Sequence, residues 1–213
     1  MLKRDLMKIP LLIIALFILS LGIVLLKQSG VGLDPWGVFH EGLNKVTGIP
    51  FGKTIELVGY VILLFSLLIK IFPGIGTILN IFLVGKFIDL LLKSNWFQTS
   101  EQLWMQLLYF AGGFVILSFG RALYISCNLG AGPRDGLFVG LVRFTKIDVK
   151  YVKPAIEVIV FTIGIIFGGT FGVGTLVLMF TSGYAFEFFF KLLKYDPKTT
   201  TNSNIFTYFK KSN

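Results

Sequence analysis

The chain alternates long uncharged runs with short polar segments rich in glycine and proline, and the uncharged runs predict membrane-spanning helices. The first run holds 18 uncharged residues between Lys8 and Lys27, which form about 27 Å of helix at about 1.5 Å per residue. The uncharged run at 158–186 is too long for one span, and the glycine-rich turn at 168–174 divides it into two. Together the runs predict six spans, at about 9–27, 52–70, 75–92, 102–125, 152–168 and 173–191.

Two segments between the spans, 28–49 and 127–147, are broken by glycine and proline and are too short to cross a bilayer. Each predicts a loop followed by a short helix, and these helices begin at Pro35 and Pro133. Either such a helix lies in the membrane interface, or it enters the bilayer and returns as a re-entrant half-helix shielded by protein.

The second half of the chain repeats the first at a distance of 98 residues. This shift aligns 32–36 with 130–134 and pairs six glycines with six glycines, where roughly one such pair is expected by chance. We therefore divide the chain into a first repeat, 1–98, a second repeat, 99–194, and a cytoplasmic tail, 195–213. Because each repeat has three spans, the second crosses the membrane in the opposite direction. The predicted fold class is an all-α membrane protein with six transmembrane helices, arranged as two inverted three-helix repeats with one half-helix each.

Composition supports an integral membrane protein. Hydrophobic residues make up 54% and charged residues 15%, where a soluble chain has about a quarter charged. The net charge of +9 comes mostly from lysines beside the spans, so we expect contact with anionic lipid headgroups rather than nucleic acid. With the amino terminus inside, 14 lysines and arginines lie on the inner side and five on the outer side. The positive-inside rule therefore predicts a multi-pass protein of the cell inner membrane with both termini in the cytoplasm.

Cysteine and histidine are too scarce for several kinds of site. The chain has one of each, Cys127 and His40, so we expect no intramolecular disulfide and no metal or other cofactor. On the polar side of the first short helix, His40 is most simply explained as a solvated or lipid-facing side chain. No nucleophile elbow or phosphate-binding loop is present in the sequence, and we expect no enzyme activity.

The two loops are the candidate substrate site. Glycine-rich backbone that leads into a helix amino terminus offers N–H groups and a positive dipole to an anion, as broken helices do in inverted-repeat transporters. Arg134 would strengthen such a site, whereas Asp34, aligned with Gly132, would oppose one. Alternatively, glycine and proline only permit a tight helix start, and Asp34 is a helix cap. The candidate substrate-binding residues are Asp34, Trp36, Asn128, Gly130, Gly132, Arg134 and Asp135.

Ionisable residues inside the apolar spans form a second candidate group, because such a residue needs a partner, water or a function. The candidates for proton coupling or for a polar cluster are Glu56, Asp89, Arg121, Glu157 and Glu187. We expect Arg134, Asp135 and Glu157 to form one cluster. The alternative is that the carboxylates are interfacial and pair with neighbouring lysines.

The loops also resemble a known family. The motif Asn128-Leu129-Gly130-Ala131-Gly132-Pro133-Arg134-Asp135-Gly136-Leu137, the Gly-x-x-Pro-Trp loop at 32–36 and the Gly-x-Gly-Thr turns at 74–77 and 172–175 are similar to those of YczE-like bacterial membrane proteins, in the YczE/YyaS/YitT group. The resemblance covers nearly the whole chain. It implies a bacterial inner-membrane protein and carries no settled biochemical activity.

The expected function is that of a small secondary transporter or permease that binds a polar or anionic solute between the two loops, with carboxylates available for proton coupling. A channel is a close relative of this hypothesis. The alternative is an accessory or scaffold membrane protein that transports nothing. A homo-oligomer is compatible with either.

Overall fold

A computed structural model describes residues 5–130, 132–147 and 149–196, with residues 135, 139, 140, 143, 149 and 150 described by their backbone alone. Within these ranges the chain forms eight helices of 13 residues or more and no strand. The helices are α1 (Ile9–Ser29), α2 (Pro35–Thr47), α3 (Phe51–Leu68), α4 (Ile75–Lys93), α5 (Leu103–Ser126), α6 (Pro133–Thr145), α7 (Val149–Ile166) and α8 (Val173–Leu192). The predicted tail lies outside the described residues from 197 onward.

Five of the described helices, α1, α3, α4, α5 and α8, are long and apolar enough to cross a membrane. Large apolar side chains such as Leu64 and Phe180 are exposed on their surfaces, as expected for contact with lipid. The predicted span at 152–168 is also helical, as part of α7. It differs because α7 carries Lys150, Lys153 and Glu157 in its first half, and an apolar span tolerates few charges. The chain is therefore an all-α membrane protein with five apolar spans and one more polar helix of similar length.

Helix boundaries recur along the chain. The half-helices α2 and α6 start at Pro35 and Pro133 and have 13 residues each, and α3 and α7 have 18 residues each. Each second helix lies 98 residues after the first. Proline suits the first turn because the N–H that it lacks has no partner within the helix. The glycines and prolines that interrupt the apolar pattern thus determine where the short helices begin.

Close packing of α1 against α5 joins the two halves of the chain. A Cβ atom at Gly22 would meet the backbone of Leu117, and one at Gly120 would meet the backbone of Leu19. Both residues of the second contact lie 98 positions from their counterparts in the first. Helices in lipid associate by close van der Waals contact, which glycine permits because it has no side chain.

Each loop binds a turn of the other half. The N–H of Gly174 donates to the carbonyl of Val31 at 3.1 Å, and the N–H of Gly76 donates to the carbonyl of Leu129 at 2.7 Å. Both amides belong to Gly-x-Gly-Thr turns, which begin α8 and α4. These two hydrogen bonds hold each loop against a helix amino terminus and fix the approach to the half-helix that follows.

The two halves differ in how their last two helices pack. In the first half α3 lies along α4, where Gly52 meets the carbonyl of Gly85 and the N–H of Gly52 donates to Asp89 Oδ1 at 2.7 Å. In the second half α7 packs on α2, and its described residues form no comparably close contact with α8. Lys150 occupies the sequence position that corresponds to Gly52, and a Cβ at Gly183 would have open space around it. Replacement of a glycine by a lysine removes the flat surface that close helix packing needs.

Candidate functional site

The two half-helices begin with different N-cap residues. At α2, Asp34 is the N-cap and its Oδ1 accepts a hydrogen bond from the N–H of Gly37 at 3.0 Å. At α6, the N-cap is Gly132, which offers no side chain to the helix. The cap that Asp34 supplies to α2 is therefore lacking in α6, whose amino terminus stays available to an outside acceptor.

Arg134 connects the two half-helices. Its Nη2 lies 2.8 Å from Nε2 of His40, and its Nη1 lies 3.7 Å from Oδ2 of Asp34. The guanidinium also lies over the Trp36 ring, with Cζ 4.7 Å from the ring centroid, which is a cation–π contact. Three of the residues proposed for the substrate site, Asp34, Trp36 and Arg134, thus meet although they come from different loops.

His40 is buried, with 1% of its surface exposed, so the expectation of a solvated or lipid-facing side chain was wrong. Its Nε2 contacts Arg134, while its Nδ1 has no hydrogen-bond partner among the described residues. Burial, and secondly the Arg134 charge, hold the pKa of His40 well below its usual range. The sequence held one signal of this position: Phe138, which lies 98 residues later, is a core residue of α6.

A cavity of about 80 Å³ lies beside this cluster. Gly132, Pro133 and Arg134 from the start of α6 form one part of its wall, and aliphatic side chains of α1, α3, α4 and α5 form much of the rest. Its polar side chains are His40, Asn80, Arg121, Tyr124 and Arg134. The cavity therefore combines basic and hydrogen-bonding groups with an apolar wall, as small-molecule sites commonly do.

Asn128 and Gly130, also candidates for the substrate site, do not line this cavity. Oδ1 of Asn128 accepts a hydrogen bond from the Tyr195 hydroxyl at 2.9 Å, and the carbonyl of Gly130 accepts one from the Tyr124 hydroxyl at 3.1 Å. Gly130 has a φ of +130° and packs on Gly74, where a side chain would not fit. These contacts shape the loop. The side chain of Asp135 lies outside the described part of the structure.

Two of the span carboxylates have partners near the start of α3. Glu56 accepts hydrogen bonds from Lys53 at 2.8 Å and from the Tyr60 hydroxyl at 2.9 Å. Asp89 accepts the Gly52 amide described above. Neither carboxylate lines the cavity. Asp89 joins α4 to the start of α3, whereas the partners of Glu56 lie on α3 itself.

The remaining ionisable candidates differ in how far they are exposed. Arg121 lines the cavity and lies over the Phe186 ring at 4.9 Å. Glu157 is half-buried, 3.9 Å from Lys153, and the charges of Asp34, Arg121 and Arg134 act on it. Glu187 is exposed and pairs with Lys191 at 2.8 Å. Of the expected cluster of Arg134, Asp135 and Glu157, the structure places Glu157 within electrostatic reach of Arg134. The described contacts of Arg134 include His40, Asp34 and Trp36.

Comparison with known proteins places the chain in a family. Residues 6–191 match the family described as "Family of unknown function (DUF6198)". The chain is 32% identical to an "Uncharacterized protein" of Haemophilus influenzae over 87% of this chain and 84% of the relative. It is 31% identical to the "Uncharacterized membrane protein YczE" of Bacillus subtilis over 81% and 80%, and 28% identical to the "Uncharacterized protein YyaS" of the same organism over 85% and 91%. No solved structure is significantly similar to the chain.

Proposed function

Since the chain belongs to the DUF6198 family and is YczE-like, as its loop motifs indicated, its activity has to be argued from its own residues, and we propose that it is a small secondary transporter. In this proposal a polar or anionic solute binds between the two loops. The observation that carries it is the position of Arg134, which links the two half-helices at the wall of a cavity. A solute bound to Arg134 would compete with the contacts of Arg134 to His40 and Asp34. Solute binding would therefore be coupled to a rearrangement of the two half-helices.

The proposed architecture is two inverted repeats with six spans. Support comes from the 98-residue spacing of the helices and from the paired loop-to-turn hydrogen bonds at Gly174 and Gly76. The sixth span would be α7, whose 18 residues give about 27 Å of helix. Its packing on α2 would shield part of its polar surface from lipid. In this architecture the half-helices would be re-entrant elements, and the amino termini of both would lie near the membrane midplane.

The proposed location is the inner membrane with both termini in the cytoplasm, where anionic headgroups would contact the basic inner side. Nucleic acid is not a proposed partner, and a homo-oligomer is compatible with the large apolar surface. For proton coupling, Glu157 is the best placed of the candidate carboxylates, because it is half-buried and the charges of Arg134 and Asp34 act on it.

A second candidate function, an accessory or scaffold protein that transports nothing, is favoured by a specific observation. Glu56, Asp89 and Glu187 each have a partner that explains them structurally, and none lines the cavity. Glu157 also has a lysine partner, Lys153 at 3.9 Å, and does not line the cavity, so structural pairing alone could explain the carboxylates.

Reconstitution distinguishes the two. Purified protein in liposomes should give substrate-dependent flux that is impaired in Arg134→Lys, because a lysine ammonium cannot replace the planar guanidinium between His40 and Asp34. Lys191→Ala is the control, since this exposed lysine pairs only at the surface with Glu187, and its flux should be unchanged. Vesicles that stay inert for every solute tested, together with a protein partner that copurifies stably, would instead establish the scaffold role.

A further inference from the structure

The charge of the cavity wall favours one kind of ligand. Arg121 and Arg134 line the cavity, and no aspartate or glutamate is among its described lining residues. Asp34, 3.7 Å from Arg134, and Glu157, on which the charges of both arginines act, offset part of this positive charge without lining the cavity. The wall is therefore positive but not strongly so, which suits an anion of low charge.

His40 adds a directional requirement. A guanidinium group only donates hydrogen bonds, so Nε2 of His40 is the acceptor from Arg134, and in the neutral ring the hydrogen is on Nδ1. His40 lines the cavity, and this N–H donor is buried without a partner among the described residues. This nitrogen has almost no accessible surface, so the role of His40 at the cavity is to fix the position of the Arg134 guanidinium. Arg121 and Arg134, which line the cavity, only donate hydrogen bonds, so a ligand that binds at this end needs an acceptor oxygen.

The rest of the wall is aliphatic. Leu19, Ile55, Ile81 and Leu117 line the cavity from α1, α3, α4 and α5 respectively. An inorganic oxyanion such as phosphate or sulfate carries charge in every direction, and would lose hydration against these side chains without compensation. A carboxylate with an aliphatic body has its charge at one end and its apolar surface at the other. It matches both parts of the wall.

We propose that the ligand of this cavity is a small aliphatic monocarboxylate, held by Arg134 beside His40 and packed against the aliphatic wall. The cavity is small, about 80 Å³, which favours a ligand with a short aliphatic body. This inference rests on the proposed function only in using the same site, and binding tests it without any transport assay.

Binding of defined probes to the purified full-length protein tests the proposal. Acetate, propionate and butyrate, the uncharged isostere butyramide, and inorganic phosphate and sulfate are compared by calorimetry and by thermal shift in detergent. We expect the carboxylates to bind, with about a fourfold gain in affinity for each added methylene until the cavity is full. Butyramide, phosphate and sulfate should bind at least tenfold more weakly, and Arg134→Lys should weaken butyrate binding.

The aliphatic wall is tested with a matched pair of variants on α3. Ile55→Ala enlarges the cavity and should move the preference from butyrate toward hexanoate, whereas Val61→Ala, whose side chain is 65% exposed, should leave it unchanged. Phosphate binding that requires Arg134, with no carboxylate binding, would overturn the ligand class and leave the transporter proposal standing. Absence of binding by every probe would also overturn the ligand class. Butyrate binding without butyrate flux in liposomes would support the ligand class and contradict transport.

Discussion

The carbonyl oxygen of Gly52 packs directly on Gly85, so closely that no side chain fits at position 85. The corresponding glycine of the second half, Gly183, has nothing within 4 Å of the place that a Cβ atom would take. Both are helical glycines, and they lie 98 residues apart. They therefore form a matched pair for mutation.

Gly85→Ala should destabilise the protein and Gly183→Ala should not. Overpacking of a close helix contact typically costs about 1–3 kcal/mol, whereas alanine in an open helical position is favoured over glycine by about 1 kcal/mol. Thermal melting in detergent measures both. Equal losses in the two variants would contradict the different packing of the two halves.

Acid should destabilise the folded protein through His40. An unfolded chain takes up a proton at this residue near the ordinary pKa of 6.5, while the buried ring, whose pKa is lowered, stays neutral until a lower pH. The unfolded state then binds more protons than the folded state. The His40 contribution is therefore complete above pH 6.5 and is lost as the pH falls below it, by at most about 1.4 kcal/mol per pH unit.

The measurement is the melting temperature between pH 7.5 and 5.5, with His40→Gln as the control. Glutamine can still offer an oxygen acceptor to Arg134 but has no proton to gain in this range, and His40 is the only histidine of the chain. The wild type should lose stability over this range and the variant should change much less. Parallel slopes would show that another group carries the acid sensitivity.

Glu41 should matter for stability far more than Glu187. The Glu41 carboxylate accepts from Lys27 Nζ at 2.8 Å and from the N–H of Thr170 at 2.7 Å, so it ties α1 and α2 to the turn between α7 and α8. Its side chain is 12% exposed, compared with 64% for Glu187 in the exposed pair with Lys191. Glu41→Gln should cost about 1–3 kcal/mol because it leaves Lys27 without its charge partner.

Glu187→Gln is the control for this change. Exposed ion pairs contribute little, so the melting temperature of this variant should stay within error of the wild type. A Glu41→Gln variant as stable as Glu187→Gln would mean that the contact between α2 and the α7–α8 turn is not an energetic link.

Single cysteines should report opposite sides for the two half-helix ends. In a Cys127→Ala background, cysteines at Asn44 and Lys146 should react with a membrane-impermeant reagent from the outside and from the inside, respectively. The reason is that three spans lie between these two positions in the proposed topology, so the positions face opposite sides of the membrane. Reaction of both cysteines from the same side would contradict inverted repeats. It would not bear on the proposed ligand of the cavity.

The ends of the short helices were predictable from sequence, whereas their partners were not. Pro35 and Pro133 begin α2 and α6 as their chemistry requires, and Gly48 ends α2 in the left-handed conformation. That the two aligned loops serve one site stays a prediction. However, the contact between His40 and Arg134 joins residues 94 positions apart, and side-chain periodicity carries no information about which distant group a buried residue will meet.

The uneven packing of the halves shows the same limit. A lysine at 150 in place of a glycine at 52 is visible in the sequence. Its consequence depends on where α7 finds another surface, which is α2 rather than α8. Such a choice is made by the whole arrangement of helices and not by the segment alone.

The loop-to-turn hydrogen bonds at Val31 and Leu129 make each half of the chain the binding partner of the other. Either half alone would carry a loop carbonyl and a turn amide that have lost their partners. Two fragments divided in the linker at 94–102 should therefore complement each other when expressed together and fail when expressed singly. The interface has the reciprocity of a two-fold dimer, in which residue i meets j and j meets i. A chain of half this length could satisfy the same groups only by pairing with a second copy of itself.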